Sequence, residues 1–141
     1  MYICSLLYVG MLAIWDAREK MIPAIALCIG GMLGVTCAAY TVLFGERNVW
    51  DIGMAMLPGI VLLLLAYATR QQIGYGDGLL LLILGLFLEK EMILFIVVSG
   101  QLMASLWGII LLVFRKVGKG TTIPYIPFLF MAMLLYQAVI V

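Results

Sequence analysis

Long apolar stretches alternate with short polar breaks along the whole chain. Six stretches are mostly apolar, at about 2–17, 22–44, 51–69, 74–88, 92–114 and 123–141. A helix that crosses a bilayer needs roughly 20 such residues, and the first and fourth stretches are the shortest. We therefore predict an all-α, polytopic membrane protein: a bundle of six transmembrane helices forming a single domain over residues 1–141.

Composition agrees with this pattern. The 141 residues are 67% hydrophobic and 11% charged, with a mean hydropathy of +1.25, whereas a soluble domain is about half apolar and a quarter charged. The first stretch has no basic region before its apolar residues, so we expect no removable signal peptide. A net charge of +1 without a basic block predicts no nucleic-acid partner, and the lipid bilayer is the expected surrounding.

The charges in the polar breaks predict the orientation of the chain, because cytoplasmic loops of membrane proteins collect Lys and Arg. The first, third and fifth breaks contain six basic residues: Arg18, Lys20, Arg70, Arg115, Lys116 and Lys119. The second and fourth breaks contain two, among four acidic residues: Arg47 and Lys90, with Glu46, Asp51, Glu89 and Glu91. We therefore predict a multi-pass protein of the cytoplasmic (inner) membrane, with odd-numbered breaks in the cytoplasm and both termini outside.

Two aspartates are the candidate catalytic residues. Asp16 ends the first apolar stretch, and Asp77 begins the fourth within the run Gly74-Tyr75-Gly76-Asp77-Gly78. Carboxylates are costly at membrane depth and usually serve a function there. In the predicted topology both lie at the cytoplasmic ends of their helices, so we expect them to meet.

The glycines around Asp77 also need an explanation. Each weakens a helix by roughly 1 kcal/mol relative to alanine. Glycine lets another chain come close to the backbone, and irregular backbone at membrane depth is tolerated where it is buried or lines a wet cavity. We therefore expect Gly74, Gly76 and Gly78 to let a peptide substrate approach Asp77.

A pair of neighbouring carboxylates supplies a complete hydrolytic mechanism. The two groups share one proton near neutral pH; the ionised group can activate water, and the protonated group can polarise a peptide carbonyl. The chain has no histidine, and its three cysteines, Cys4, Cys28 and Cys37, form no CxxC pair. Zinc sites, Ser-His-Asp triads and Cys-His dyads are therefore disfavoured, and we expect no metal and no cofactor.

Other interpretations of the aspartates stay open at this point. Asp77 could sit at a helix N-terminus only because the helix dipole favours negative charge there, and Asp16 could pair with Lys20 one turn on. The alternative function is a small proton- or cation-coupled transporter that uses two intramembrane carboxylates. A catalytically inactive scaffold of a secretion assembly and a protease that cuts deeper in the membrane are further alternatives.

The motifs resemble those of type IV prepilin peptidases, which are GxGD membrane aspartic peptidases. The GxGD at 74–77 opens a membrane helix, Asp16 is followed by Arg18 and then Ile22-Pro23, and the segment Ile123-Pro124-Tyr125-Ile126-Pro127-Phe128 is similar to the start of the family's last helix. The resemblance spans nearly the whole chain. It implies an endopeptidase that removes the basic leader from prepilin-like proteins at the cytoplasmic membrane face, with Asp16 and Asp77 as the catalytic pair.

The chain also departs from the family's pattern. Ala24 stands where many members have asparagine, and Leu79 where many have lysine. Bifunctional members carry a cytoplasmic insert with CxxC pairs that is associated with N-methylation of the product, whereas only a few residues separate the first two helices here. The resemblance therefore implies a short, peptidase-only form without methyltransferase activity.

Two further patterns give structural predictions. Gly30 and Gly34 form a GxxxG on the second helix, which favours close helix packing within the chain over a dimer face. Trp15, Trp50 and Tyr125 fall near the ends of apolar stretches, where aromatic side chains commonly lie in the headgroup region.

Overall fold

A computed structural model describes residues 2–19, 22–69, 74–114 and 124–140. These residues form six α-helices: α1 Tyr2–Glu19, α2 Ala24–Leu43, α3 Val49–Ala68, α4 Tyr75–Phe87, α5 Lys90–Val113 and α6 Ile126–Ile140. No strand occurs in this part of the chain. The predicted all-α bundle of six helices is confirmed, and the helix ends differ from the predicted ones by no more than three residues.

The helices differ in how well they match a bilayer. By length and composition, α2, α3 and α5 could each cross a membrane, while α4 and residues Ile126–Val139 are shorter apolar helices. The helix α1 has 18 residues, and charged residues occupy its last turn. At 13 residues, α4 is only about 20 Å long, compared with a hydrocarbon core about 30 Å thick.

The six helices form two groups of three. In one group α4 packs against α3 and α2; in the other α6 packs against α1 and α5. The groups join where α3 contacts α5 and where α1 approaches α4. Asp16 on α1 and Asp77 on α4 therefore belong to different groups, and they can meet only at this junction.

Glycines let α3 and α4 touch through their backbones. A Cβ added to Gly59 would lie 2.5 Å from the Leu82 nitrogen, and one added to Gly85 would lie 2.5 Å from the Ala55 carbonyl oxygen. No real Cβ tolerates such distances, so each glycine is required for the observed separation. This is the close packing through small residues that membrane helices use, and it leaves α4 buried along most of its length.

The GxxxG of α2 packs within the chain. A Cβ on Gly30 would lie 2.2 Å from the Tyr8 hydroxyl, and one on Gly34 would lie 3.0 Å from the Leu86 side chain. Gly31, next to this pair, has open space around it. The predicted intramolecular role of Gly30 and Gly34 is confirmed.

Arg47 closes the C-terminal end of α4. Gly45 has a φ of +73°, a conformation that favours glycine, and it lies in the turn that leads from α2 to Arg47. The Arg47 guanidinium donates hydrogen bonds to the carbonyl oxygens of Leu86 at 3.1 Å, Leu88 at 2.7 Å and Gly85 at 3.5 Å. The last carbonyls of a helix have no partner within it, and a cation there also complements the helix dipole. Arg47 therefore fixes α4 at the end opposite to Asp77.

The outer surface of the bundle is apolar. Large side chains such as Ile25, Leu43 and Tyr67 are more than 70% exposed, and similar residues cover the outward faces of the other helices. A soluble monomer rarely exposes an apolar surface of this extent. This surface fits a lipid surrounding, and the exposed Trp15 and Trp50 fit the predicted interfacial positions.

Candidate active site

Asp16 is buried at the junction of the two helix groups. It lies in α1, which continues to Glu19, so Asp16 is one turn inside the helix and not at its end as the sequence suggested. Its side chain is only 6% exposed. The backbone N–H of Ile126, the first residue of α6, donates a hydrogen bond to Asp16 Oδ2 at 3.3 Å. Lys20, the alternative partner, lies outside the described residues.

Asp77 occupies the first turn of α4. The helix follows Gly74 in an extended conformation, with φ −66° and ψ 127°, and the Asp77 N–H donates to the Gly74 carbonyl at 3.2 Å. The carboxylate lies beside Gly74: a Cβ added there would be 3.3 Å from Asp77 Oδ2. Gly74 is exposed, so the absence of a side chain at this position leaves one side of the Asp77 carboxylate uncrowded.

The two carboxylates lie near each other. Asp16 and Asp77 are close enough for their negative charges to interact, although they are far apart in the sequence and belong to helices that otherwise touch little. The dipole of α4 favours a negative charge at position 77, and this explains Asp77 alone. It does not explain a second acid, buried at the same place on α1.

The other two motif glycines have packing partners within the chain. A Cβ on Gly76 would lie 2.8 Å from the Ile22 side chain, and one on Gly78 would lie 2.8 Å from the Leu63 side chain. Both glycines thus let α4 fit against its neighbours. Their predicted role in substrate approach stays a prediction, and Gly74 is the motif glycine whose surroundings suit it.

Tyr125 also lies within the influence of the Asp77 charge, and its sequence position did not mark it as a candidate site residue. Its hydroxyl oxygen is buried within the protein and has no hydrogen-bond partner among the described residues, and its predicted place near the headgroup region stays a prediction. The charge of Asp77 acts on this hydroxyl, and the next residue, Ile126, binds Asp16. The resemblance had marked the segment 123–128, but nothing in the sequence singled out its tyrosine.

The described residues contain no group of three or more His, Cys, Asp or Glu side chains that could hold a metal ion. The groups that do converge at the junction are two carboxylates, one phenol and one backbone N–H. Such a set can hold a proton, orient water and donate hydrogen bonds to an oxygen atom. The expectation that no cofactor is needed stays a prediction.

The fold defines a polytopic α-helical membrane protein, in which the charges of two acids from different helix groups interact. The model of the type IV leader peptidase family matches residues 1–141, the whole chain, and the chain belongs to this family. It is therefore a membrane-embedded protein of a peptidase family, which agrees with the resemblance found in its motifs. Searches of curated proteins and of solved structures found no match.

Proposed function

We propose that this protein is an aspartic endopeptidase that cleaves the basic leader from type IV prepilin-like proteins, with Asp16 and Asp77 as its catalytic pair. The observation that carries the proposal is the convergence of these two carboxylates from different helix groups. Removing a carboxylate from water costs free energy unless it has partners, and a second negative charge nearby adds to this cost. Two acids whose charges interact inside an apolar bundle support a shared-proton mechanism.

The pair would act through one shared proton. Because like charges close together cannot both ionise easily, one carboxyl stays protonated near neutral pH. The ionised carboxylate takes a proton from water, whose oxygen attacks the scissile carbonyl carbon. The protonated carboxyl donates a hydrogen bond to the carbonyl oxygen and later gives its proton to the leaving nitrogen. The Ile126 N–H would keep the Asp16 side chain in one orientation throughout.

The family and the surroundings of the site support this substrate class. A prepilin-like substrate has an apolar stem, which could lie in lipid against the apolar outer surface of the bundle. Its scissile bond would then reach the site from the exposed side of Gly74. In the predicted topology this is the cytoplasmic face of the inner membrane, where a basic leader is also expected.

We further propose that the protein lacks methyltransferase activity. Only residues 20–23 connect α1 to α2, so there is no room for an inserted domain at that place. The three cysteines, Cys4, Cys28 and Cys37, lie in these two helices and not in a CxxC insert. Mass spectrometry of the cleaved product, with a methyl donor present, is expected to show an unmethylated N-terminus.

The cleavage proposal is tested with the purified full chain in lipid nanodiscs and a peptide that carries a basic leader, a glycine and an apolar stem. Wild type should cut the peptide once, at the junction of leader and stem. Asp16→Asn and Asp77→Asn keep the side-chain shape but cannot share the proton, and each should lose nearly all activity. Asp51→Asn is the matched control, since Asp51 pairs with Lys90 at the other end of the bundle, and it should cut like wild type.

Two results would overturn the proposal. If either dyad variant retains substantial activity, the two aspartates do not form the catalytic pair. If wild type leaves a range of such peptides intact while folded by circular dichroism, the leader-peptidase function itself is refuted.

A further inference from the structure

The short segment that enters α6 faces both aspartates. Ile126 donates its backbone N–H to Asp16, and Tyr125, one residue earlier, directs its hydroxyl into the protein near Asp77. The Tyr125 ring packs against the buried core, so the side chain is held in place by apolar contacts. Two consecutive residues thus bring one donor towards each of the two aspartates.

The Tyr125 hydroxyl is unusual because it is buried and unpaired within the described part of the chain. Leaving a buried polar group without a partner lowers stability, and a phenylalanine would pack there without that cost. Tyr8 offers a contrast, since its hydroxyl donates to the Ala26 carbonyl at 2.9 Å. A buried, unpaired hydroxyl within the influence of the Asp77 charge therefore needs an explanation other than stability.

We propose that Tyr125 is a positioning residue of this site and that its hydroxyl donates a hydrogen bond to the ionised Asp77 carboxylate. In the substrate-free structure the hydroxyl makes no hydrogen bond to the described residues, and hydrogen bonds of catalytic groups are often long in such structures and tighten on binding. A phenol has a pKa of about 10 in water, so near neutral pH the hydroxyl keeps the proton that it donates. The inference rests on the proposed aspartic mechanism and adds a third side chain to it.

Within residues 2–19, 22–69, 74–114 and 124–140, few other groups could donate to Asp77. Among the described residues, the titratable groups that act on Asp77 or feel its charge are Asp16 from α1 and Tyr125 from the start of α6. The glycines on either side of Asp77 face apolar side chains: Gly76 faces Ile22, just before α2, and Gly78 faces Leu63 of α3. Tyr125 is therefore the side-chain donor available to the ionised form of Asp77 in this part of the chain.

The test is the pH–rate profile of Tyr125→Phe, measured in nanodiscs with the leader peptide. A hydrogen bond to the ionised form keeps a carboxylate ionised at lower pH. Without it, the acidic limb of the profile should move to higher pH by about one unit, as expected for one charge-assisted bond. The kcat at the optimum should fall roughly tenfold or more, while KM changes little, because the hydroxyl contacts Asp77 and not the substrate stem.

Tyr8→Phe is the matched control. It removes a part-buried hydroxyl that donates to the Ala26 carbonyl, and Tyr8 lies about two turns before Asp16 on α1. It should therefore reduce stability but leave the pH profile and kcat unchanged. Tyr125→Phe should show the reverse: unchanged or higher stability with altered kinetics. If Tyr125→Phe has the wild-type profile while Asp77→Asn is inactive, this inference is overturned and the aspartic function stands.

An infrared titration tests the hydrogen bond without any substrate. The carboxylate band that Asp77→Asn removes is followed against pH in wild type and in Tyr125→Phe. The inference expects its midpoint to be higher in Tyr125→Phe. Equal midpoints would overturn it, whatever the outcome of the cleavage assay.

Discussion

The contact between α3 and α4 predicts a sharp difference between two glycines of the same helix. At Gly59 an added methyl group would lie 2.5 Å from the Leu82 nitrogen and 2.9 Å from its Cα. Ordinary carbon contacts are about 3.5–4.0 Å, so Gly59→Ala must separate the two helices by roughly 1 Å. At Gly53 nothing lies within 4 Å of the added methyl, and Gly53→Ala needs no adjustment.

The two substitutions are expected to change the free energy of unfolding in opposite directions. Replacing glycine by alanine inside a helix contributes about 0.5–1 kcal/mol of stability, and Gly53→Ala should gain this amount. Gly59→Ala gains the same amount but adds overpacking against backbone atoms, which costs typically 1–3 kcal/mol. We therefore expect Gly59→Ala to be less stable than Gly53→Ala by about 2 kcal/mol.

Unfolding by SDS in mixed micelles, followed by circular dichroism, measures this difference. Peptidase activity of the folded fraction is the second readout, since α4 carries Asp77 and a displacement of about 1 Å near a reacting group can cost on the order of 100-fold in rate. If both variants unfold at the same SDS fraction, the backbone contact between α3 and α4 does not exist in the protein, and the reasoning fails.

Three other predictions follow from the packing. Arg47→Met leaves the last carbonyls of α4 without a donor and should lower the free energy of unfolding by about 1–3 kcal/mol in the same SDS assay. Asp51→Asn breaks an exposed ion pair and should leave the SDS midpoint nearly unchanged. Gly30→Ala would collide with the Tyr8 hydroxyl and should destabilise the protein, whereas Gly31→Ala should not. If Gly30→Ala is as stable as wild type but forms fewer dimers in cross-linking, the glycine pair belongs to a dimer face instead.

The number and places of the helices could be predicted because they depend on the length of apolar runs. Each stretch is hydrophobic around its whole circumference, so its existence as a membrane helix is clear. The same property removes the signal for which side of a helix faces which neighbour. Gly59 and Gly85 therefore look like any other glycine in the sequence, although they set the separation of α3 and α4.

The two acids of the candidate site could be predicted because charged residues are rare in this chain. Asp16 and Asp77 are conspicuous because a carboxylate in an apolar stretch is expensive. Tyr125 is not, since a tyrosine near the end of an apolar stretch is usually interfacial. Its burial depends on how the start of α6 lies against α1 and α4, and Arg47 likewise finds its three carbonyls only once α2 and α4 are adjacent.

Arg47 binds one end of α4, and Asp77 lies at the other end. The number of residues in the helix therefore fixes the distance between them. One residue inserted into α4 would shift Asp77 by about 1.5 Å along the axis and turn it by about 100° around it, away from Asp16. Deletion of one residue would turn it as far in the opposite sense. The contacts at both ends of α4 therefore leave no tolerance for a change of register within this helix.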